Sequence, residues 1–477
     1  MSAAMVERST VPAALPAAQN DLYRLLLLRQ NGSELLVAGE RPSFTLPCVE
    51  IPRWERVAEN MDAVVKKRYA ISGICLFMPG LGSGTECEQP LYQVIEARDG
   101  TVVPPDGTCW VPVDLLSGHS FADEQDSAAF GDTMREVRDF QSGAAKGPFG
   151  RPGWIDELFS WAQHELDPYG LRLNGGFRQL NASPTFALLR LETNGPAVWF
   201  KAVGEPNLRE FPISVTLSRL FPGFVPTVIA THPAWNGWLT TEFRGSMLDE
   251  LQDASTWERA AQTLAELQVE AIRKGDRLLG AGCRDLRVPS LLTMVDPFAD
   301  VMSELMEKQQ KAAPPALSGP EVRTLARQVK DSLSDLAELD IPDTLGHLDF
   351  NPGNILCSAD QCIFLDWAEG YVGPPFLTFE YLRAHLERLG RENASLAADV
   401  ASAYETSWRR VLCPEAVSAG FDLAPVLAVF AYVVGTETWR DPALLSDPKA
   451  AAYLRSLTRR MHSEMHRLQD RRQLCCK

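Results

Sequence analysis

The chain has 477 residues, of which 45% are hydrophobic and 23% charged, and a formal net charge of -16. At about 150 residues per domain this length suggests two to four units, and an acid excess of this size excludes nucleic-acid backbone binding, which needs a basic face, as the main function. No uninterrupted apolar run of about 18 residues is present to span a bilayer, so a soluble protein acting on neutral or cationic small molecules fits best, with no nucleic-acid or membrane partner.

Residues 1–20 lack a basic segment followed by an apolar one and read as a disordered tail, not a secretory signal, which implies a cytoplasmic address. Two apolar runs broken by Asn31-Gly32 predict a β-hairpin. "FTLPCVEIP", "ISGICLFMP" and "LYQVIEARDG" predict further strands, and "WERVAENMDAVVKKRYA" has helical spacing. Residues 21–142 are therefore expected to form a separate mixed α/β domain. Its opening resembles that of Nudix-type domains, but the G-x5-E-x7-R-E-x2-E-E metal pattern is missing from "RWERVAENMDAVVKKRYAISG". The resemblance thus implies a binding or docking module without hydrolase activity. "GLGSG" at Gly80–Gly84 has no Lys-Ser/Thr after it and reads as a loop, not a nucleotide site.

The Gly/Pro-rich residues 143–153 read as a linker. After it, "WIDELFSWAQHEL" aligns Trp154, Ile155, Leu158 and Trp161 on one helical stripe. "GFRQLNAS", "TFALLRLETN" and "PAVWFKAV" then predict a small antiparallel sheet, with Lys201 closing its third strand. Proline suits the first turn of a helix, so a helix is expected from about Pro212, with Glu210 just before it. From "RGSMLDE" onward the chain is mostly helical, "TWERAAQTLAELQVEAI" being the most regular segment, with a surface linker at "KQQKAAPPALSGP".

Within this helical part lies "GHLDFNPGNILCSADQCIFLDWAEG", Gly346 to Gly370. His347, Asp349 and Asn354 form H-x-D-x-x-x-x-N, the spacing of a kinase catalytic loop, and Asp366 follows an apolar strand. Phosphoryl transfer needs a group that orients a hydroxyl and takes its proton, for which Asp349 is suited. It also needs hard oxygen ligands for Mg²⁺, which Asn354 and Asp366 offer. The bland alternative makes these ordinary turn residues around a buried core histidine.

"LGHLDFNPGNIL" followed by "FLDWAEGYVGPPFLTFEYL" resembles the aminoglycoside phosphotransferase family of protein-kinase-like enzymes, and the likeness runs from about Gly170 to the C-terminus. It implies an α+β, two-lobed protein-kinase-like fold behind the amino-terminal domain, with a nucleotide-binding lobe at 154–245, a helical lobe at 246–470, and Mg-ATP between them. By resemblance Asp349 is catalytic, Asn354 and Asp366 bind magnesium, and His347 buttresses the loop. Lys201 then reaches the nucleotide phosphates with Glu210 as its ion-pair partner, or Glu205 if the helix starts earlier. The backbone of Thr241 and Phe243 in "TTEFRG" would hold adenine. This chain departs from the pattern between its first two strands, where "QLNASPT" replaces a glycine-rich loop and Ser183 is the candidate phosphate contact. The family phosphorylates hydroxyls of small molecules with ATP as co-substrate. A non-catalytic nucleotide- or metabolite-binding regulator on the same scaffold is the alternative.

Residues 340–399 hold ten acids against three arginines and no lysine, which suits a cationic acceptor or a plain solvated surface. Ten cysteines without a CxxC pair read as reduced thiols, Cys357 and Cys362 flanking a turn among them. His462 and His466 read as a polar helix face.

Overall fold

The computed structural model describes residues 19–475 apart from 42, 54, 81–90, 99–102, 104, 146 and 389–393. Residues 1–18 of the expected tail at 1–20 and the loop residues Leu81–Gly84 lie outside the described residues, and Asn20 of that tail already belongs to a strand.

β1 (Asn20–Arg29) passes through Gln30, Asn31 and Gly32, all at positive φ, into β2 (Glu34–Ala38), so the Asn-Gly signal does mark a hairpin. β3 (Cys48–Pro52), α1 (Val57–Tyr69), β4 (Gly73–Phe77) and β5 (Leu91–Ala97) fall on the segments expected, and β6 (Thr108–Pro112) completes a mixed sheet of order β4-β5-β1-β2-β6 with β3 on β1. Leu25–Leu28 of β1 are all fully buried: Leu26 and Leu28 enter one core, Leu25 and Leu27 the other. A strand covered on both faces reads as a continuous apolar run, and strict alternation sends successive side chains to opposite sides. α2 (Glu124–Ser142), which no expectation covered, starts where the Asp123 carboxylate accepts the Gln125 N–H at 2.8 Å.

α3 (Trp154–Leu166) leads to β7 (Leu173–Ser183), β8 (Phe186–Thr193) and β9 (Val198–Ala202), then α4 (Glu210–Leu220), β10 (Val228–His232) and β11 (Gly237–Thr241). The five strands form one antiparallel sheet, β10-β11-β9-β8-β7, in which the three expected strands β7–β9 are joined by β10 and β11.

The expected domain borders need correcting. The chain divides into two compact units, the first being the described residues to Phe211 with Val228–Glu242, the second Pro212–Thr227 with residues 243 onward. Both sheets therefore belong to the first unit, and 143–153 does not act as a free linker. Phe149 and Trp154 are buried in a core continuous from Leu26 to Leu239, their rings 5.0 Å apart, and Phe149 also lies edge-on to Trp235 and Phe200. Gln179 of β7 bonds both ways with the backbone of Cys75 in β4, at 2.9 and 3.0 Å. Burying aromatics of this size stabilises by about 1.5–3 kcal/mol each, which outweighs the turn propensity of the flanking glycines and prolines.

In the second unit β12 (Ser246–Met247) precedes α5 (Ala254–Ala271), α6 (Gly275–Gly280), β13 (Arg284–Asp285), α7 (Val288–Glu307) and α8 (Gly319–Glu338). β14 (Thr344–His347), β15 (Ile355–Cys357), β16 (Cys362–Phe364) and β17 (Gly370–Gly373) follow, and then α9 (Phe376–Arg388), α10 (Ala394–Trp408), α11 (Pro414–Gly435), α12 (Pro442–Ser446) and α13 (Pro448–Cys475). Two small sheets, β12-β15-β16 and β13-β17-β14, are set among these helices. Lys308–Ser318 joins α7 to α8 on the surface, as expected. α11 is long and apolar enough to cross a membrane, but 72% of its apolar window is buried inside the unit, where Val426, Phe430 and Val434 fill the core.

Candidate active site

β14 ends at His347, which is 1% exposed and held at three points. Its backbone N–H donates to Thr378 Oγ1 at 2.9 Å, its Nε2 donates to the Leu365 carbonyl at 3.1 Å, and its Nδ1 accepts the Asp349 N–H at 3.0 Å. These bonds select the Nε2–H tautomer and join the two ends of the loop. The ring packs against Trp367 and Phe350.

Asp349 follows in a turn made by the asparagines. The Asn351 amide donates to the Asp349 carboxylate at 2.9 Å, and its Oδ1 accepts the Gly353 N–H at 2.9 Å. This is the side-chain-to-backbone turn at which Asn excels, and Pro352 pre-sets its backbone angle. Asn354 Nδ2 donates to the Asp349 carbonyl at 2.9 Å, which leaves the amide oxygen as an available ligand. The Asn354 carbonyl accepts the Leu365 N–H at 2.9 Å, so the β15–β16 hairpin returns the chain beside Asn354 just before Asp366. Asp366 is exposed and adopts left-handed φ 63 and ψ 56, a conformation that Asp tolerates better than bulky residues.

Burial pushes the Asp349 carboxyl above the ordinary carboxylate range; the Asp366 charge adds to this, and the Asn351 amide opposes it. A base raised toward neutrality abstracts a hydroxyl proton more effectively. Asn354 and Asp366 supply an amide and a carboxylate oxygen from one short hairpin, the donor chemistry that suits Mg²⁺.

Two residues to which the motif assigns no role complete this half. Asn351 lies inside the motif at one of its variable positions, and the Asn-Pro-Gly turn is the sequence signal for it. Arg284 of β13 donates from Nε to the Gly435 carbonyl at 2.6 Å and from Nη1 to the Ala368 carbonyl at 2.8 Å, and it pairs with Glu369 at 2.7 Å. It thereby ties the segment after Asp366 to the end of α11, across sequence distances that no local pattern marks.

In the first unit Lys201 pairs with Glu210, whose side chain is 2% exposed. The Lys201 ammonium also lies 5.9 Å from the Trp238 ring centroid and 6.0 Å from that of Phe186. α4 begins at Glu210, two residues before the expected start, and Pro212 sits in its first turn where its missing N–H costs nothing. Glu205 is exposed. Ser183 stands at the β7–β8 turn, and its hydroxyl accepts the Phe186 N–H at 3.0 Å. The turn is pinned from outside: the Phe149 N–H donates to the Pro184 carbonyl at 3.0 Å, and Gly204 packs so closely on Thr185 that a Cβ would lie 2.4 Å away. Thr241 ends β11 paired with Val198, and Phe243 is half-buried two residues on. Between them, the Glu242 carboxylate takes two hydrogen bonds from Arg190, at 2.5 and 3.1 Å.

Residues 237–412 match the family model described as phosphotransferase enzyme family, so the resemblance read from the catalytic stretch is borne out over that span. Among curated proteins no sequence matches. Among solved structures the chain is similar to a macrolide 2'-phosphotransferase from Brachybacterium faecium, at 15% identity over 63% of this chain and 98% of that one, TM-score 0.40. It is also similar to a choline kinase from Cryptosporidium parvum, at 11% identity over 67% and 95%, TM-score 0.42. A choline kinase from Streptococcus pneumoniae matches at 12% identity over 64% and 99%, TM-score 0.41.

Proposed function

We propose that this chain, whose residues 237–412 carry the phosphotransferase family's pattern, transfers the γ-phosphate of ATP to a hydroxyl of a small molecule. The observation that carries the reading is the Asp349 carboxylate, gripped by the Asn351 amide and raised above its ordinary range in the loop that supplies Asn354, beside which the following hairpin returns just before Asp366.

In this mechanism Asp349 accepts a hydrogen bond from the acceptor hydroxyl and fixes the direction of its oxygen. That oxygen forms a bond to the γ-phosphorus as the bond to the leaving ADP breaks, and the hydroxyl proton passes to Asp349, from which solvent recovers it. The protein makes no covalent intermediate; it positions the groups and neutralises charge. Asn354 Oδ1 and the Asp366 carboxylate would hold Mg²⁺, which when bound neutralises phosphate charge. Lys201, oriented by Glu210, is assigned to the nucleotide phosphates. Ser183 contributes through the shape of its turn and its remaining hydroxyl proton, and the backbone of Thr241 and Phe243 is assigned to adenine.

The acceptor is read as aminoglycoside-like, amino-alcohol or sugar-like, which the acidic balance of residues 340–399 supports. A cytoplasmic address belongs to the same reading, supported by free thiols at Cys48, Cys75, Cys109 and Cys413. The test is transfer of label from γ-phosphate-labelled ATP, with Mg²⁺, to a pooled set of hydroxylated amines, aminoglycosides, macrolides and sugars. Label in an acceptor supports the reading; tight Mg-ATP binding with no transfer to any acceptor overturns it in favour of a regulator.

A further inference from the structure

The hairpin between Asn354 and Asp366 carries a second pair of reactive groups. β15 and β16 are joined by the exposed turn Ala359-Asp360, and Cys357 stands directly opposite Cys362. Ser358 N–H donates to the Gln361 carbonyl at 2.8 Å, which makes 358/361 a hydrogen-bonded pair and 357/362 the adjoining non-hydrogen-bonded one. At such positions the α-carbons approach to about 4.5 Å, within the range a disulfide spans. The Cys357 thiol here donates to the Cys362 sulfur at 2.9 Å.

An independent feature points to the same chemistry. Arg259 of α5 lies against this pair, with Nη2 donating to the Ser358 carbonyl at 2.9 Å and to Thr256 Oγ1 at 3.2 Å. Its Nε–H is sealed from solvent and has no hydrogen-bond partner among the described residues. A guanidinium with a spare buried donor beside a thiol is the environment that favours a thiolate. The hydrogen bond from Cys357, and then Arg259, draw the Cys362 thiol down to about 7. Both thiols are buried, one residue in from an exposed turn on three-residue strands, so the oxidant that fits is small enough to enter as the turn frays.

We propose that Cys357 and Cys362 are a peroxide-sensitive dithiol that closes to a cross-strand disulfide, stapling the hairpin between Asn354 and Asp366. The Cys362 thiolate attacks one oxygen of hydrogen peroxide, the O–O bond breaks and hydroxide leaves, giving a sulfenic acid on Cys362. The Cys357 sulfur then attacks that sulfur, the S–S bond forms and water carries off the oxygen with the Cys357 proton. Hydroxide takes up the proton released when Cys362 ionised, so two thiols and one peroxide give one disulfide and two waters. The cysteines lose two electrons and the peroxide gains them. Bond formation stands independently of the phosphotransferase reading.

The test exposes the reduced full-length protein to hydrogen peroxide, alkylates remaining thiols in denaturant and maps the peptides by mass spectrometry. The 357–362 peptide should lose two hydrogens and both alkylation sites, and dithiothreitol should restore them. In Cys357→Ser, Cys362 should stop at a sulfenic acid trapped by dimedone; in Arg259→Met, disulfide formation should slow by about tenfold. Full alkylation of both cysteines, at a peroxide dose that oxidises the exposed Cys413, overturns the proposal, as does sulfinic acid on either without the disulfide. The wild-type map decides the matter even if a variant fails to fold.

Discussion

The Asp349 loop and the β7–β8 turn are both short, polar turns assigned to one reaction, yet they are held in different ways. The first is held mostly from within: the His347 ring, Asn351 and Asn354 bond to Asp349 itself or to the chain within eighteen residues of His347, while the His347 backbone N–H reaches further, to Thr378. The second is held from outside, by Phe149 on Pro184 and Gly204 on Thr185, and Phe149 belongs to a core shared with the amino-terminal sheet. A glycine-poor turn near a proposed nucleotide site can thus be kept in shape by a segment whose own place is set in a core shared with a separate sheet. A flexible glycine loop gains close approach to phosphates through its lack of side chains; this turn has its backbone fixed in advance.

Breaking the outer support should have the largest effect on stability. Phe149→Ala removes a buried ring from the junction of both sheets and should cost about 3–5 kcal/mol, read as a lowered midpoint in denaturant. If the turn depends on that support, KM for ATP should rise in the folded variant while the acceptor KM holds. An unchanged ATP KM would separate the amino-terminal sheet from nucleotide binding.

Breaking the inner support should be milder for stability and visible in turnover. Asn351→Ala removes the amide from the Asp349 carboxylate and should lower kcat by about tenfold, with little change in either KM. A kcat equal to wild type would mean that the Asn351 bond does not position the base.

The smallest effect is one of pH on stability. Glu96, in the amino-terminal sheet, accepts the Gly153 N–H at 2.9 Å, and burial raises its carboxyl above the ordinary range. With the folded value raised, its stabilising contribution is complete below the ordinary glutamate range and is lost as pH rises through the folded value. Glu96→Gln, which never ionises, should match wild type in thermal melts at low pH and gain on it as pH rises. A gap that stays constant with pH would contradict this assignment.

The parts of the site legible in the sequence are those whose contacts are local. H-x-D-x-x-x-x-N and the later Asp366 could be read because one turn and one hairpin bring them together, and Lys201 and Glu210 lie only nine residues apart. Glu210 was nonetheless placed before the helix instead of in its first turn, since Pro212 marks a first turn without saying which residue begins it. Arg284 was illegible because its partners lie 84 to 151 residues away. The 143–153 stretch misled because glycine and proline report local backbone preference, whereas Phe149 and Trp154 decide the outcome through rings that are distant in sequence. α2 was missed with Gly131 in its interior, its N-cap at Asp123 being the signal to weigh.

The central claim is that Asp349 serves proton transfer and positioning, not nucleotide binding. The most direct test is Asp349→Asn, with Mg-ATP affinity measured by calorimetry alongside phosphate transfer to an acceptor found with the wild type. The account predicts affinity within a few-fold of wild type and a loss of transfer of about 10²–10⁴-fold. Transfer at the wild-type rate in a variant that binds Mg-ATP normally would contradict it.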